Sequence, residues 1–560
     1  MNASENPVLS RRKWLGLATA SVGTGMIPPA RAQVTSGSSS DIDSGARTYN
    51  VREFGAKGDG SALETSAFQR AIDACFHDHG GIVLVPAGVY QIGTIELKSN
   101  VTLRLSAGSK LLGSADGKQY HSVDEIPLDG DATLEDGNVA LIYAVSAENI
   151  SIEGNGTIDG QGSQFFSATR GVPPPSGRGG AQRPYHLLFH RCKNVTVRDV
   201  FLTACAFHSI RIIQSSFIKL EGLRIYNRVN RNNDGFHFIS SEYVHVNNCD
   251  VQCQDDACAL FGSCKFVTVT NCSFSTRWSV FRFGGGVAEN IAVSNCLIYD
   301  TYGCPIKMRC GPGSRFENMT FSNLIMRNVT GPISIGVGPR EHQHQSPAGK
   351  GSEVPGIVRN ISFSGIHATV VVPQQLPDVP FPSTYNPGEI KSCIALNAVE
   401  GTIERITFDD VHVTFPGGGT PEEAAVRNVS TVIGEYYAGG VLPAYALYAR
   451  NVQALSVNNV RCEVTASEAR PAIVFDHVTD AAANGITLCG TKQSESVLRL
   501  IESRDVLITA PRLIGETAVF LQAEGAGTQS IIIDGGDLSK AARPIVLSSG
   551  AHPESVNLRN

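Results

Sequence analysis

Short stretches in which apolar and polar residues alternate recur along most of the chain, and each predicts a β-strand with one buried face. Between residues 195 and 319 these stretches begin 23, 26, 23, 24 and 28 residues apart, and later intervals of 42 to 51 residues correspond to two repeats or to one repeat with a long loop. Such a period, without helical patterns between the strands, is typical of a solenoid of stacked β-coils. We therefore predict an all-β fold, a right-handed single-stranded parallel β-helix. The apolar residues that open the twelve stretches are Ile150, Val195, Ile218, Val244, Val267, Ile291, Met319, Ile361, Ile406, Leu455, Val506 and Ile531.

Two smaller regularities agree with this fold. An asparagine precedes many of the strands, and asparagine tolerates the left-handed backbone conformation that a sharp turn requires. These asparagines are Asn100, Asn149, Asn194, Asn290, Asn318 and Asn360. Cys249, Cys272 and Cys296 each lie five residues after the start of a strand, so we expect the three to stack inside the core. The rival solenoid, a leucine-rich repeat, would need a recurring Leu-x-x-Leu-x-Leu signature that this sequence lacks.

The beginning of the solenoid carries a helical signal. Ser61 and Glu64 form a plausible capping box for a helix through Ala67, Ala71 and Cys75. We expect the strand at residues 82–86 to begin the stack. A short N-terminal capping helix over the first coil would cover the end of the core.

The first residues resemble an export signal. Arg11 and Arg12 precede a mildly apolar stretch and then Ala30-Arg31-Ala32, the order of a twin-arginine signal peptide cleaved after Ala32. A disordered basic tail is the alternative. The signal peptide would comprise residues 1–32, a flexible lead-in residues 33–48 and the β-helix domain residues 49–560, with further coils and long loops in 331–560. We therefore expect an exported protein, periplasmic or extracellular.

The composition limits which partners, cofactors and metal sites we expect. The net charge of −6 argues against a nucleic-acid partner, and no apolar run reaches the roughly 18 residues that cross a membrane. We expect a monomer without a cofactor. The fourteen cysteines lack zinc-site spacing and should mostly be small core residues, and His342 and His344 should be solvated in a loop at 336–356. A second, proline-rich loop spans 371–389, and past Gly401 we see no concentration of chemical groups.

Polar residues recur at nearly constant offsets before the strands. His208 and Asp234 each lie 10 residues before a strand, Asp256 lies 11, Trp278 lies 13 and Lys307 lies 12. Because each coil adds one rung, residues at matching offsets stack on one side of the solenoid. The spacing therefore predicts a wall that carries, in vertical order, His208, Asp234, Asp255 with Asp256, Arg277 with Trp278, and Lys307.

Three carboxylates on one patch have a chemical consequence. Mutual repulsion raises at least one pKa, which supplies a protonated acid beside an ionised base, as glycoside hydrolysis requires. Adjacent residues on a regular strand face opposite sides, so the backbone must bend for both Asp255 and Asp256 to reach the cleft.

These residues resemble glycoside hydrolase family 28, the polygalacturonases and rhamnogalacturonases, whose motifs are Asn-Thr-Asp, Asp-Asp, Gly-His-Gly and Arg-Ile-Lys. The stretch of residues 49–60 together with residues 85–90 also resembles the start of pectin-degrading β-helix enzymes. The first two motifs match Asn232-Asn233-Asp234 and Asp255-Asp256, and the resemblance covers residues 49 to about 330. It implies an inverting hydrolase in which Asp255 is the general acid, Asp234 and Asp256 activate water, and Lys307 binds substrate.

The other two motifs depart from the family. Arg277-Trp278-Ser279 stands where the family has its histidine, and Pro305-Ile306-Lys307 lacks the arginine. The candidate substrate-binding residues are therefore Lys307, His208, Arg277, Trp278, Arg282 and Arg309, where the arginines restore positive charge and the indole stacks on a sugar. The departures make simple polygalacturonan a doubtful substrate and favour a pectic or another acidic glycan.

Two alternatives remain open at this level. A polysaccharide lyase on the same solenoid would use a basic residue and a calcium cluster, for which Asp234, Asp255 and Asp256 could be mistaken. A carbohydrate-binding solenoid without activity would explain the missing histidine. Product absorbance and turnover separate these from a hydrolase.

Overall fold

The computed structural model of the chain describes residues 47–123, 138–167, 172–179, 182–339, 354–373, 392–429 and 441–559. The twin-arginine stretch, His342, His344 and most of the two long loops lie outside these residues. Within the described part of the chain, no helix is long and apolar enough to cross a membrane.

The chain winds into a right-handed parallel β-helix, as the periodicity predicts. The first coils contain one helix, α1 at Thr65–His77, which packs over the end of the stack with Phe68, Ala71 and Ile72 buried. The strands here are β1 Thr48–Asn50, β2 Asp59–Leu63, β3 Gly81–Val85, β4 Gly88–Ile92, β5 Ile95–Glu96, β6 Val101–Leu105, β7 Ser109–Gly113, β8 Ala140–Val145, β9 Glu148–Gly154 and β10 Thr157–Asp159.

The predicted capping box is wrong. Ser61 lies within strand β2, and the Glu64 carboxylate accepts hydrogen bonds from the backbone N–H groups of Lys57 and Gly58, so neither side chain caps the helix. The stack also begins one coil earlier than expected, because β1 pairs in parallel with β3 and β2 with β4. Local capping patterns do not reveal such long-range pairing.

The middle coils each contribute one strand to a fifteen-stranded parallel sheet, here called sheet B, and one or two strands to a larger parallel sheet, sheet A. These strands are β11 Tyr185–His190, β12 Lys193–Arg198, β13 Phe201–Thr203, β14 Ile210–Ile213, β15 Ser216–Glu221, β16 Arg224–Asn227, β17 Phe236–Ile239, β18 Glu242–Asn247, β19 Asp250–Cys253, β20 Cys258–Phe261, β21 Lys265–Thr270, β22 Ser273–Thr276, β23 Phe281–Gly284, β24 Val287–Thr301, β25 Ile306–Cys310, β26 Arg315–Val329 and β27 Ile333–Val337.

The later coils continue both sheets and add the short helix α2 at Pro421–Ala424. Their strands are β28 Ile357–Val370, β29 Ile394–Ala398, β30 Thr402–Phe415, β31 Leu447–Arg450, β32 Val452–Val464, β33 Ile473–Asp476, β34 Thr479–Asn484, β35 Thr487–Cys489, β36 Leu498–Ile501, β37 Arg504–Thr509, β38 Arg512–Ile514, β39 Thr517–Glu524, β40 Gln529–Asp534, β41 Ala541–Ser548 and β42 Val556–Arg559.

The register confirms the repeat. Ile150 pairs with Val195, Val195 with Ile218, and the series continues without slippage through Leu455. The 51-residue interval to Val506 contains one further rung at Ala481, whereas the intervals before it are single coils with long loops. Hydrophobic alternation therefore fixes which face each strand buries.

The turn and core predictions are confirmed as well. All six asparagines adopt positive φ between 54° and 62°, and several donate side-chain hydrogen bonds to the asparagine one coil below, such as Asn194 to Asn149 at 2.8 Å. Cys249, Cys272 and Cys296 are buried on successive coils, and the Cys249 N–H donates to the Cys272 sulfur at 3.4 Å. Of the fourteen cysteines, Cys489 is half-buried and the others are buried.

Candidate active site

The loop between β16 and β17 is held by one buried asparagine. Asn233 has no exposed surface, and its side-chain amide bonds four backbone groups, accepting from the N–H of Val229 and Asn230 and donating to the carbonyls of Cys205 and Phe207. Gly235 follows Asp234, and a Cβ at Gly235 would lie 2.5 Å from the Ala257 carbonyl oxygen of the next coil. Asn233-Asp234-Gly235 is thus a turn, and the absence of a side chain at Gly235 lets the backbone beside Asp234 lie close to the next coil.

Two imidazoles face the Asp234 carboxylate. His237 Nδ1 lies 2.7 Å from Asp234 Oδ2, and His208 Nε2 lies 3.6 Å from the same oxygen. Arg211 Nη1 donates to His208 Nδ1 at 3.3 Å. Because an arginine only donates, His208 Nδ1 is the acceptor and its Nε2 carries the proton that points at Asp234. Asp234 therefore accepts a hydrogen bond from His237, while the N–H of His208 points at the same oxygen from a longer distance.

Both histidines are neutral near neutral pH. Burial, with the neighbouring cations adding to it, lowers the pKa of His208 and of His237 well below the ordinary value of 6.5. Their rings stack 4.5 Å apart, and His237 also stacks on Phe261 at 5.1 Å. The stack fixes both rings, so the carboxylate supplies the charge of this cluster.

His208, Asp234 and His237 are close enough together to share a metal ion. The hydrogen bond from Arg211 opposes that use, because it directs a protonated Nε2 of His208, and not a lone pair, at the shared centre. The donor set therefore fits an oriented carboxylate better than a cation site.

Asp255 and Asp256 occupy the bend between β19 and β20. The sequence predicts a bend here, because a straight strand would point adjacent side chains to opposite faces. The N–H groups of Gln254 and Asp255 both donate to the Asn233 carbonyl at 3.1 Å, which ties this bend to the previous coil. Asp255 is half-buried, and it accepts from Asn232 Nδ2 at 3.1 Å and from the Asp256 N–H at 2.9 Å. Asp256 is 7 % exposed and lies 4.0 Å from Arg282 Nε.

The remaining candidates follow on the next coils. Arg277, Arg282 and Lys307 are buried, whereas Trp278 and Arg309 are partly exposed. Lys307 Nζ lies 4.6 Å from the centre of the Trp278 ring. Among the predicted site residues, Asp255, Trp278 and Arg309 thus keep part of their surface open to solvent, and the others are buried.

Backbone hydrogen bonds give the vertical order of the row. Ser209 N–H donates to the Asp234 carbonyl, Gly235 N–H to that of Asp256, Ala257 N–H to that of Ser279, and Phe281 N–H to that of Pro305, at 2.8 to 3.0 Å. The structure therefore brings His208, Asp234, Asp255 with Asp256, Arg277 with Trp278, and Lys307 onto successive coils in the order derived from the spacing.

Several site residues escaped the sequence reasoning. His237 and Arg211 contact the Asp234 cluster directly, and Arg183 Nη2 donates to Asn232 Oδ1 at 3.1 Å, which holds the partner of Asp255. A signal existed, because Arg211, His237, Arg282 and Lys307 share one register position on five successive sheet B strands, with Ala259 between His237 and Arg282. In the sequence, such a position is recognisable as a polar residue in second place of an otherwise apolar four-residue stretch.

Past residue 401, where the sequence shows no concentration of chemical groups, the structure contains a cluster of paired charges. Arg427 donates to Glu524 at 2.7 Å and to Glu495 at 2.9 Å, and the buried Arg499 donates to the Ala424 carbonyl at 2.8 Å. The charges pair with one another, so this cluster fastens the segment around α2 to sheet B. Its members come from distant loops and strands, and for that reason no local sequence pattern shows it.

Buried histidines make stability depend on pH. Burial lowers the pKa of His186 to about 4, while an unfolded histidine titrates near 6.5. The unfolded state binds more protons between these values, so stability is complete above pH 6.5 and falls as the pH drops toward 4. We expect His186 to lower the free energy of unfolding by about 2 kcal/mol between pH 7 and pH 5.

The variant His186→Gln keeps a donor for the Thr203 carbonyl, which His186 Nε2 contacts at 2.9 Å. Urea unfolding at pH 7 and pH 5 should show a smaller pH-dependent loss for the variant than for the parent. Equal losses in both proteins would contradict a neutral, buried His186.

A parallel β-helix that carries three carboxylates, buried cations and a partly exposed indole on neighbouring coils has the groups that glycoside hydrolysis requires. The profile of glycosyl hydrolases family 28 matches residues 75–377, and the chain belongs to this family. It is therefore a glycoside hydrolase.

Curated relatives agree with this membership. An exopolygalacturonase of Platanus acerifolia is 26 % identical over 418 residues, which cover 72 % of this chain and 98 % of the relative. An exo-poly-alpha-D-galacturonosidase of Dickeya chrysanthemi is 26 % identical over 339 residues, which cover 50 % of this chain. The match spans 56 % of the Dickeya protein, little more than half of its length.

Solved structures show the same fold. The family 28 exopolygalacturonase of Yersinia enterocolitica has a TM-score of 0.55 at 19 % identity, covering 78 % of each chain. A hyperthermoactive exopolygalacturonase of Thermotoga maritima has a TM-score of 0.52 at 20 % identity, covering 66 % of this chain and 87 % of the other.

Proposed function

We propose that this protein hydrolyses glycosidic bonds of an acidic, pectic polysaccharide with inversion of configuration. The observation that carries the proposal is the unequal surroundings of the three carboxylates. Asp234 accepts a hydrogen bond from His237 Nδ1 and Asp256 lies 4.0 Å from the Arg282 guanidinium, and both contacts are of the kind that stabilises a carboxylate anion. Asp255 is half-buried and is the most exposed of the three.

These surroundings suit the two roles that inversion needs. Asp255, the general acid, protonates the oxygen of the leaving sugar, while Asp234 and Asp256 orient and deprotonate the attacking water.

Positive charge in the cleft supports an anionic substrate. Arg282 lies 4.0 Å from Asp256, and Arg183 donates to the Asn232 that contacts Asp255, although the whole chain carries a net charge of −6. A cleft lined by the sign opposite to that of its substrate raises the local substrate concentration. The names of the curated relatives, which refer to galacturonan, point to the same class of sugar.

Burial divides the candidate substrate-binding residues into two groups. Trp278 and Arg309 have exposed surface and contact the sugar in this proposal. His208, at 1 % exposure, acts on Asp234 instead, and Arg282, at 5 %, acts on Asp256. Arg277 and Lys307 contribute positive charge from behind the surface.

The lyase alternative fits this cleft less well. Calcium prefers a cage of oxygen ligands, but an imidazole N–H and a guanidinium already occupy the sides of Asp234 and Asp256. A hydrolase releases a reducing end without a new double bond, whereas a lyase leaves an unsaturated sugar that absorbs ultraviolet light.

Purified protein should be assayed on a panel of pectic and other acidic glycans, with reducing ends and ultraviolet absorbance recorded together. We expect reducing ends without added absorbance. Absorbance growing with cleavage would favour the lyase, and saturable binding without turnover would favour a binding solenoid.

We also propose export through the twin-arginine-type signal, because Arg11 and Arg12, an apolar stretch and a small-residue cleavage site occur in order. Replacing both arginines by lysine should trap the precursor in the cytoplasm, while the parent yields a mature chain that begins near Gln33. Immunoblots of cell fractions measure the processing. Normal processing of the double variant would refute this signal.

A further inference from the structure

Trp278 covers Lys307. The ammonium lies 4.6 Å from the centre of the indole ring, Lys307 has no exposed surface, and Trp278 keeps part of its surface open. A cation at this distance from an indole face is attracted by the ring electrons. The strand register alone predicts an ammonium group at this point of the surface, but solvent contacts the indole ring there instead.

The backbone fixes this arrangement. The Trp278 N–H donates to Thr276 Oγ1 at 3.1 Å, and the Gly303 N–H donates to the Trp278 carbonyl at 3.0 Å. A Cβ at Gly303 would lie 2.7 Å from Trp278 backbone atoms, so only glycine allows the two coils to approach this closely. The indole is thus seated on the coil that leads to Lys307.

An indole and an ammonium select different sugars. The ring packs against the apolar C–H face of a sugar, and this contact is the same for a free uronate and for its methyl ester. An uncovered ammonium would form a charge-assisted hydrogen bond with the uronate carboxylate, and esterification would remove it.

We propose that Trp278 is the residue that sets selectivity between free and esterified uronate units, by withholding Lys307 from direct contact with the substrate. The inference rests on the proposed function and names its substrate class more narrowly, as pectic chains that include esterified uronates. Arg309 remains at the cleft surface and contributes a constant preference for charge.

The test compares kcat/KM on de-esterified and on methyl-esterified oligogalacturonides of equal length. We expect the acid-to-ester ratio to rise at least about tenfold in Trp278→Ala, the effect of one hydrogen bond to a charged group. Trp278→Phe keeps an aromatic cover and should keep the parent ratio, whatever its turnover. Trp278→Ala combined with Lys307→Met should return the ratio to the parent value.

The outcomes separate two failures. A parent that cleaves neither substrate overturns the proposed function and this inference with it. A parent that cleaves both, with a Trp278→Ala ratio within about threefold of its own, overturns this inference alone.

A second measurement does not depend on the stability of the alanine variant. The chain has two tryptophans, Trp14 and Trp278, so Trp14→Phe in the full chain leaves one fluorophore in the cleft. With Asp255→Asn added to prevent turnover, esterified oligogalacturonide should change the emission saturably. Unchanged emission during binding that calorimetry detects would place the sugar away from Trp278 and overturn the inference.

Discussion

Replacing Asp255 by asparagine should lower turnover by about 10²–10⁴, the usual contribution of a positioned general acid. Asparagine preserves the shape of the side chain and its contact with Asn232, which lies 3.1 Å from Asp255 Oδ2, but it has no proton to give to the leaving oxygen. KM should change much less than kcat, because Trp278 and Arg309 still contact the sugar. Steady-state kinetics on the best substrate of the panel measure both quantities.

Asp250→Asn is the matched control for this variant. Asp250 begins strand β19, five residues before Asp255, is exposed and pairs with Ser273 on the outer surface. The control removes one negative charge from the strand that leads into the bend, and its kinetics should equal those of the parent. Near-full activity of Asp255→Asn would refute the assignment of the acid.

Replacing Asp234 by asparagine should lower turnover by about 10²-fold or more, because the water loses one of the two carboxylates that hold it. The loss should not add to that of Asp256→Asn, since both residues act on one water molecule. An asparagine oxygen can still accept from His237, which donates at 2.7 Å in the parent, so folding should survive.

Asp476→Asn is the control for Asp234→Asn. Asp476 is also buried, at 4 % exposure, and its carboxylate lies 2.6 Å from His477 Nδ1, but it sits on a later strand of sheet B. Its loss should lower the thermal midpoint and leave kcat unchanged. Equal loss of turnover in both variants would show that buried aspartate–histidine pairs act through stability, and not through water activation.

The fold could be predicted from the sequence because a solenoid repeats one simple constraint. Every coil must bury its apolar side chains against those of the coil below, so alternation recurs at the coil length and identifies the strands. The loops follow no such constraint. The interval from Leu455 to Val506 contains a further rung at Ala481. The sequence alone did not reveal this rung, because the neighbours of Ala481 are alanines with a weak strand signal.

The row of site residues could be predicted for the same reason, because residues at the same offset from successive strands lie one above another on successive coils. The side-chain roles could not. Sequence spacing places His208 beside Asp234 but does not show that Arg211 orients its proton or that burial keeps it neutral. Nor does spacing reveal that Trp278 covers Lys307, because that depends on the direction of two long side chains.

The central claim is inverting hydrolysis by the three carboxylates, and time-resolved proton NMR of the cleavage of an α-linked oligogalacturonide tests it most directly. The account predicts that the first anomeric signal to appear is that of the β-configured reducing end, with the α form growing later by mutarotation and without vinylic protons. An α-configured first product, or a vinylic proton signal that grows with cleavage, would contradict it.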